Sequence, residues 1–275
     1  MIFAAVLAGL YVGAVINLRR RGHRWPIWRT LAFLILGIGS YLFVDLGFFG
    51  TYSSGLRWAF TSRIALLLFV VPMLISIGSP VALALTVLHQ KPRRRLRRFL
   101  NSRLIRLISN AIFAPLFSLA LFMLFITPVS GTIRESITAQ HLISTLIPIF
   151  GLLMFLPLVS NQSRRTSLFV SAEFMIAFVE LMLDAIPGVI LSISDTVQDG
   201  LVNRPIGAPI WFGSALSDQH FSGNLLWMIA ELGDVPILVL LFIRWLRHDR
   251  KDQKTMDVLS DEQYDELVAE HLKRR

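Results

Sequence analysis

The sequence predicts an all-α membrane protein, a polytopic bundle of seven transmembrane helices, and two observations carry this prediction. Hydrophobic residues make up 54% of the 275 residues and charged residues only 16%, with a mean hydropathy of +0.62. A soluble domain of this length carries fewer apolar and more charged residues. The apolar residues also form long runs that are bounded by clusters of arginine, which is typical of helices that cross a bilayer.

Seven apolar runs are each long enough to cross a hydrocarbon core of ~30 Å as an α-helix. They are Ile2–Leu18, Leu31–Phe49, Ile64–Leu88, Ala111–Val129, Leu142–Val159, Leu168–Ile193 and Leu225–Leu246. Helices are expected because lipid offers no partners for unpaired backbone groups. The first run is followed by three arginines instead of a small-residue cleavage site, so we interpret it as a retained helix and not as a signal peptide.

The basic residues predict the orientation of the bundle. All but four of the 27 lie on one side of the spans; the four are Arg57, Arg63, Arg134 and Arg204. By the positive-inside rule, the basic side is cytoplasmic, which places the N-terminus outside and the C-terminus inside. The net charge of +9 is then explained by topology and by attraction to anionic lipid, and nucleic acid is not an expected partner.

Two domains are predicted. Residues 1–246 form the seven-helix transmembrane domain, and residues 247–275 form a basic cytoplasmic tail. Within the tail, Ser260 and Gln263 have the spacing of a capping box, and apolar residues follow at helical spacing. The tail is therefore interpreted either as a short amphipathic helix on the cytoplasmic surface or as a solvated extension.

Two histidines on the predicted outer side form a candidate metal site. His141 opens span five, His220 precedes span seven, and Met228 lies one to two turns deeper. Imidazole and thioether ligands suit copper, especially Cu(I). If these helices pack together, the three residues bind copper at the outer face; in the alternative, the histidines only hydrogen-bond to loops. The sequence has no cysteine, which excludes disulfides and thiolate metal sites.

Six acidic residues fall inside the predicted spans. They are Asp45, Glu173, Glu180, Asp184, Glu231 and Asp234. A charge near the bilayer centre costs about 3 kcal/mol on insertion scales, so such residues usually face the interior of a bundle. Few basic residues are expected deep enough to pair with them, so the acids are predicted to be protonated, hydrogen-bonded at proline kinks, or bound to a cation. They either hold helices together or form a path for protons or metal ions.

The segment that precedes span seven, Asp218-Gln219-His220, is the most polar outer stretch. Asp218 is expected to accept hydrogen bonds from the unpaired N–H groups at the start of this span, and Ser222 is a second cap candidate. His220 is expected to face a cavity together with His141. The sequence contains no Gly-rich phosphate loop, Ser-His-Asp arrangement or His-Glu-x-x-His motif, so it predicts a protein that is not an enzyme.

Several segments resemble the CtaG-like cytochrome c oxidase assembly factors, which are bacterial membrane proteins with seven spans. The stretch from Asp218-Gln219 through Gly223 to Trp227 resembles that family's Asp-Gln-x-x-x-Gly-x-x-Met-Trp signature, with Leu226 in place of Met. Three further elements resemble the family: Arg24-Trp25-Pro26, the stretch from Pro72 to Val81, and Gln140-His141.

The resemblance implies an assembly factor for haem–copper cytochrome c oxidase in the bacterial plasma membrane. It implies help with copper delivery or insertion at the outer face, and contact with the catalytic subunit of the oxidase or with other assembly proteins. The sequence departs from the family at a His-x-x-x-His pair before span three: an ungapped count back from Gly78 places it on Phe60 and Ile64. Ser144 also stands where a further histidine is expected.

Three functions remain open from the sequence. The first is an oxidase assembly factor with an altered copper site. The second is a proton- or metal-coupled transporter that uses the intramembrane carboxylates. The third is a membrane anchor without a ligand.

Overall fold

A computed structural model describes residues 2–103, 105, 113–159, 167–203 and 208–256. Within these ranges every regular element is a helix, which confirms the predicted all-α class. The α-helices are α1 (Ile2–Arg20), α2 (Ile27–Leu31), α3 (Gly39–Leu46), α4 (Phe48–Tyr52), α5 (Arg57–Ala65), α6 (Val71–Ile77), α7 (Pro80–Val87), α8 (Gln90–Leu100), α9 (Phe113–Met123), α10 (Val129–Glu135), α11 (Ile137–Val159), α12 (Ser167–Ile193) and α13 (Ala215–Met256). Wide π-helical stretches join α2 to α3 (Ala32–Ile38) and α5 to α6 (Leu66–Val70), and a 3₁₀ turn (Leu124–Ile126) follows α9.

Within the described residues, five helical stretches are long and apolar enough to cross a membrane. They are Phe3–Arg20, Ile27–Tyr52, Arg57–Ile77, Ile137–Met154 and Phe174–Ile193. Leu116–Ile126 and Val129–Glu135 make a sixth if the 83° bend between them belongs to one span. The predicted seventh span lies within α13, several of whose side chains are outside the described part of the chain. The total of seven spans and the orientation of the bundle in the membrane therefore remain predictions.

The predicted start of span three at Ile64 is wrong. The helix begins at Arg57, and Arg57 and Arg63 are buried inside the bundle instead of lying in an outer loop. Arg63 bounds the predicted apolar run on its N-terminal side, because a charged residue normally marks the water interface. The helix that contains the predicted span seven is longer than that span, since α13 starts at Ala215 and runs without interruption to Met256.

The stretch Arg57–Ile77 is the centre of the bundle, and 67% of it is buried. Helices α11 and α13 both pack against it. At Gly151 of α11 an added Cβ would lie 2.2 Å from the carbonyl oxygen of Leu68, so glycine lets the two backbones touch. The stretch ends at a break where Ser79 adopts a left-handed conformation (φ 52°), and the Tyr11 hydroxyl donates to the Gly78 carbonyl at 2.8 Å. The N-terminal end of this central helix carries the candidate site.

Candidate functional site

Three of the four arginines that were predicted to lie outside the membrane are buried at one end of the bundle. Arg57, Arg63 and Arg134 are 2%, 5% and 2% exposed, and Arg204 lies outside the described residues. A buried guanidinium is costly unless an opposite charge and hydrogen-bond acceptors surround it. The partners of these three side chains therefore define the site.

The carboxylate of Asp199 lies between Arg57 and Arg134. Its Oδ2 accepts a hydrogen bond from Arg134 Nη1 at 2.5 Å, and its Oδ1 lies 3.8 Å from Arg57 Nη1. Arg57 also donates to the side-chain oxygen of Gln219 and to the carbonyl of Phe125. One carboxylate thus serves two guanidinium groups and joins α5, α10 and the loop that follows α12.

Gln219 and His220 hold this loop against the bundle. Gln219 is fully buried; its Nε2 donates to the carbonyl of Thr196 at 3.0 Å, and its Oε1 accepts the backbone N–H of Gln198 at 2.8 Å. His220 Nε2 lies 2.9 Å from the carbonyl oxygen of Ser194. The polar residues before span seven therefore fix a loop.

Asp218 caps a helix, although not the one that was predicted. Its two carboxylate oxygens accept the backbone N–H groups of Arg57 and Trp58 at 2.7 and 3.2 Å. These N–H groups open α5, where a helix leaves its donors unpaired and favours negative charge. Burial raises the pKa of Asp218, whereas the two N–H groups lower it. The cap is on α5 and not on span seven because α13 already begins at Ala215.

Gly223 brings α13 into backbone contact with α12. A Cβ at Gly223 would lie 2.4 Å from the carbonyl oxygen of Gly188 and 2.6 Å from Ser192 Oγ. The neighbouring Ser222 was predicted as a helix cap, which is wrong: it is buried inside α13 and its hydroxyl lies 2.7 Å from that of Thr61.

Replacing Gly223 with alanine is expected to lower stability by on the order of 1–3 kcal/mol, because the methyl group meets backbone atoms that cannot rotate away. Thermal unfolding of the purified protein in detergent, followed by tryptophan fluorescence, measures this loss. Gly13→Ala is a matched control, since no atom lies within 4 Å of its added Cβ. Equal melting temperatures for the two variants would contradict the close approach of α12 and α13.

Arg63 has a separate set of partners. Its Nη2 forms a salt bridge with Asp45 Oδ1 at 2.7 Å, and its Nη1 donates to Ser53 Oγ at 3.0 Å. It also donates to the side-chain oxygens of Gln140 and Ser144. The prediction that the intramembrane acids are protonated, hydrogen-bonded at proline kinks or bound to a cation is therefore wrong for Asp45, which pairs with a buried arginine. The early start of α5 carries Arg63 deep enough to meet it.

An open cavity of about 620 Å³ lies beside this salt bridge. Its polar lining residues are Tyr41, Asp45, Ser53, Ser54, Arg63, Arg134, Glu135, Gln140, His141, Ser144 and Thr145. Small-molecule pockets are usually lined by apolar side chains with few polar groups. Eleven of the fifteen residues that line this cavity have a polar side chain, which provides hydrogen-bonding groups for a polar or charged species.

The three predicted copper ligands lie at different places on this end of the bundle. His141 is exposed and lines the cavity. His220 is not among the lining residues, contrary to expectation, because its ring lies against Ser194; Met228 is 49% exposed on α13. In the described part of the chain, no three side chains of His, Asp or Glu form a group that could hold a metal ion. Copper binding by these residues stays a prediction.

The sequence model of the cytochrome c oxidase caa3 assembly factor family (Caa3_CtaG) matches residues 9–248. The chain belongs to this family. Uncharacterized proteins of Mycobacterium bovis and Mycobacterium tuberculosis are each 27% identical to it over 274 residues, and one of Mycobacterium leprae is 24% identical over 276 residues. These alignments cover 96% of this chain but only 41–42% of the relatives, so the chain spans about two fifths of their length. No solved structure matches.

The remaining intramembrane acids have hydrogen-bonding partners where their side chains are described. Asp184 is buried in α12 and its carboxylate oxygens accept from Ser118 Oγ at 3.0 and 3.2 Å. Glu231 accepts the indole N–H of Trp227 at 2.6 Å, one turn away on α13. The side chains of three others lie outside the described residues: Glu173, Glu180 and Asp234.

The sequence analysis did not identify the buried cluster of Arg57, Arg134 and Asp199. The signal that could have found it is the presence of two of its arginines on the predicted outer side of the membrane. Arginine is depleted on the predicted outer side, so each arginine retained there calls for a reason. Three of the four turn out to be buried and paired with acids.

Proposed function

We propose that this protein is an integral membrane assembly factor for haem–copper cytochrome c oxidase that assists copper delivery or insertion at the outer face. Membership of the caa3 assembly factor family supports the assembly role. Its apolar helices support a multi-pass position in the membrane. One observation carries the copper part: the open polar cavity presents an exposed imidazole, His141.

The cavity lining offers an imidazole and carboxylates to a cation that is passed on. Arg63 forms a salt bridge with Asp45, whereas Arg134 shares the carboxylate of Asp199 with Arg57. Glu135 is an exposed carboxylate in the lining; its charge interacts with Arg134, but it forms no salt bridge in the described residues. An imidazole and a carboxylate in the lining of one cavity offer copper few ligands. Such a site holds the ion weakly enough for a partner subunit to complete the coordination and remove it.

His220 and Met228 are proposed as a second contact point for copper on α13. The carbonyl of Ser194 can only accept, so His220 Nε2 is the N–H donor of that 2.9 Å contact. The neutral ring then has its lone pair on Nδ1, and a backbone carbonyl on the other nitrogen is the usual support of a metal-binding histidine.

Copper titration of purified variants tests this proposal. His141→Ala is expected to weaken Cu(I) binding by about tenfold or more and to lower the copper content of the oxidase, with the amount of folded protein unchanged. His220→Ala is expected to have the same direction of effect. His23→Ala is the matched control, because His23 is also exposed but lies in the basic loop after α1. If both variants leave oxidase copper unchanged, the copper part is wrong and the protein assists assembly without the metal.

A further inference from the structure

Helix α8 is an exposed and highly basic helix. Six of its eleven residues are cationic: Lys91, Arg93, Arg94, Arg95, Arg97 and Arg98. All six are exposed, and none forms a salt bridge with another described residue. Like charges at this spacing repel each other along a helix, so a counter-charge from outside the helix would stabilise it.

The same helix has an apolar side. Leu96, Phe99 and Leu100 are spaced by three and four residues and therefore share one face. Phe99 is 53% exposed, and the two leucines are half-buried. A helix with arginines on one face and Phe and Leu on the other is suited to lie in the plane of a membrane interface.

The start of α8 is fixed to the end of α1. Arg21 Nη1 donates to the carbonyl of Val87 at 3.1 Å, and Arg21 Nη2 lies 3.1 Å from Nε2 of His89, the residue before α8. The exposed side chains of Arg19 and Arg20 belong to the same end of α1. The two basic segments thus form one surface at the predicted cytoplasmic end of the bundle.

We propose that this surface, α8 together with Arg19 and Arg20, binds the phosphate groups of anionic phospholipids in the leaflet that it faces. Charge complementarity favours any polyanion, but the apolar side of α8 selects among them. A phospholipid places its phosphate next to an acyl region in which Phe99 is buried. A nucleic acid offers the phosphates in water and leaves Phe99 exposed.

A fluorescent reporter on α8 tests the proposal in the full chain. The sequence has no cysteine, so a single cysteine in place of Phe99 takes an apolar fluorophore at one position only. The protein is placed in nanodiscs of phosphatidylcholine alone or mixed with phosphatidylglycerol. Anionic lipid is expected to reduce quenching by a water-soluble quencher about twofold or more, and high salt to restore the quenching.

Two sets of substitutions separate the effect of positive charge from that of the arginine side chain itself. Replacing the five arginines of α8 with glutamine is expected to abolish the effect of phosphatidylglycerol. Replacing them with lysine is expected to keep it, because the positive charges remain. Equal shielding in neutral and anionic nanodiscs would overturn the proposal, and so would shielding that appears only when duplex DNA is added.

Discussion

Replacing Asp199 with asparagine is expected to cost about 3–5 kcal/mol of stability, because it removes one partner of a buried ion pair. The change leaves the guanidinium groups of Arg57 and Arg134 buried without the carboxylate that they share. It also loosens the loop that Gln219 and His220 hold. The midpoint of thermal unfolding in detergent, and the yield of monodisperse protein, measure the loss.

Asp195→Asn is the matched control for this experiment. Asp195 lies in the same loop but is exposed, so its replacement is expected to change stability by no more than about 0.5 kcal/mol. Adding Arg134→Met to Asp199→Asn should recover part of the loss, since one of the two uncompensated charges is then gone. Equal losses for the Asp195 and Asp199 variants would show that the buried cluster does not hold this end together.

Replacing Arg63 with methionine is expected to have a comparable effect, about 3–5 kcal/mol, because Asp45 is then left buried without its counter-charge. The side chains of this pair are only 6% and 8% exposed. A double-mutant cycle with Asp45→Asn measures the pair directly by thermal unfolding. The double variant should lose less stability than the sum of the two single variants, with a coupling of about 0.5–3 kcal/mol.

Arg24→Met is the control for the loss of an arginine as such, because Arg24 is exposed and pairs with no acid among the described residues. Strict additivity of the Arg63 and Asp45 changes would mean that their salt bridge contributes nothing to stability.

The helical class could be predicted from run length alone, because a bilayer requires long apolar helices whatever their partners are. The first and last residues of the spans could not be predicted in this way. An apolar run that starts at Ile64 predicts a span with Arg63 in the water outside it. Arg63 is instead buried, because Asp45 from a different helix provides its counter-charge. Only the packing of the helices shows that this carboxylate is in reach.

The role of Asp218 could also be predicted only in part, because it depends on both local sequence and tertiary structure. A carboxylate in a turn before a helix suggests a cap, and the carboxylate does cap a helix. Its target, the N-terminus of α5, lies 161 positions earlier in the chain. Local sequence identifies a hydrogen-bonding capacity, whereas tertiary structure decides which donor fills it. The roles of Gln219 and Asp199 depend in the same way on residues brought together from distant helices.

The π-helical stretch Leu66–Val70 sets the helical phase of the central span. A π-helical turn holds about one residue more than an α-helical turn, so residues before it are rotated by about 100° relative to an unbroken helix. The arginine-bearing half, with Arg63, and the half that leads to Gly78 therefore follow different registers. The ungapped count back from Gly78 that places the family's histidine pair on Phe60 and Ile64 runs across this stretch, so a change in the length of the turn shifts both positions.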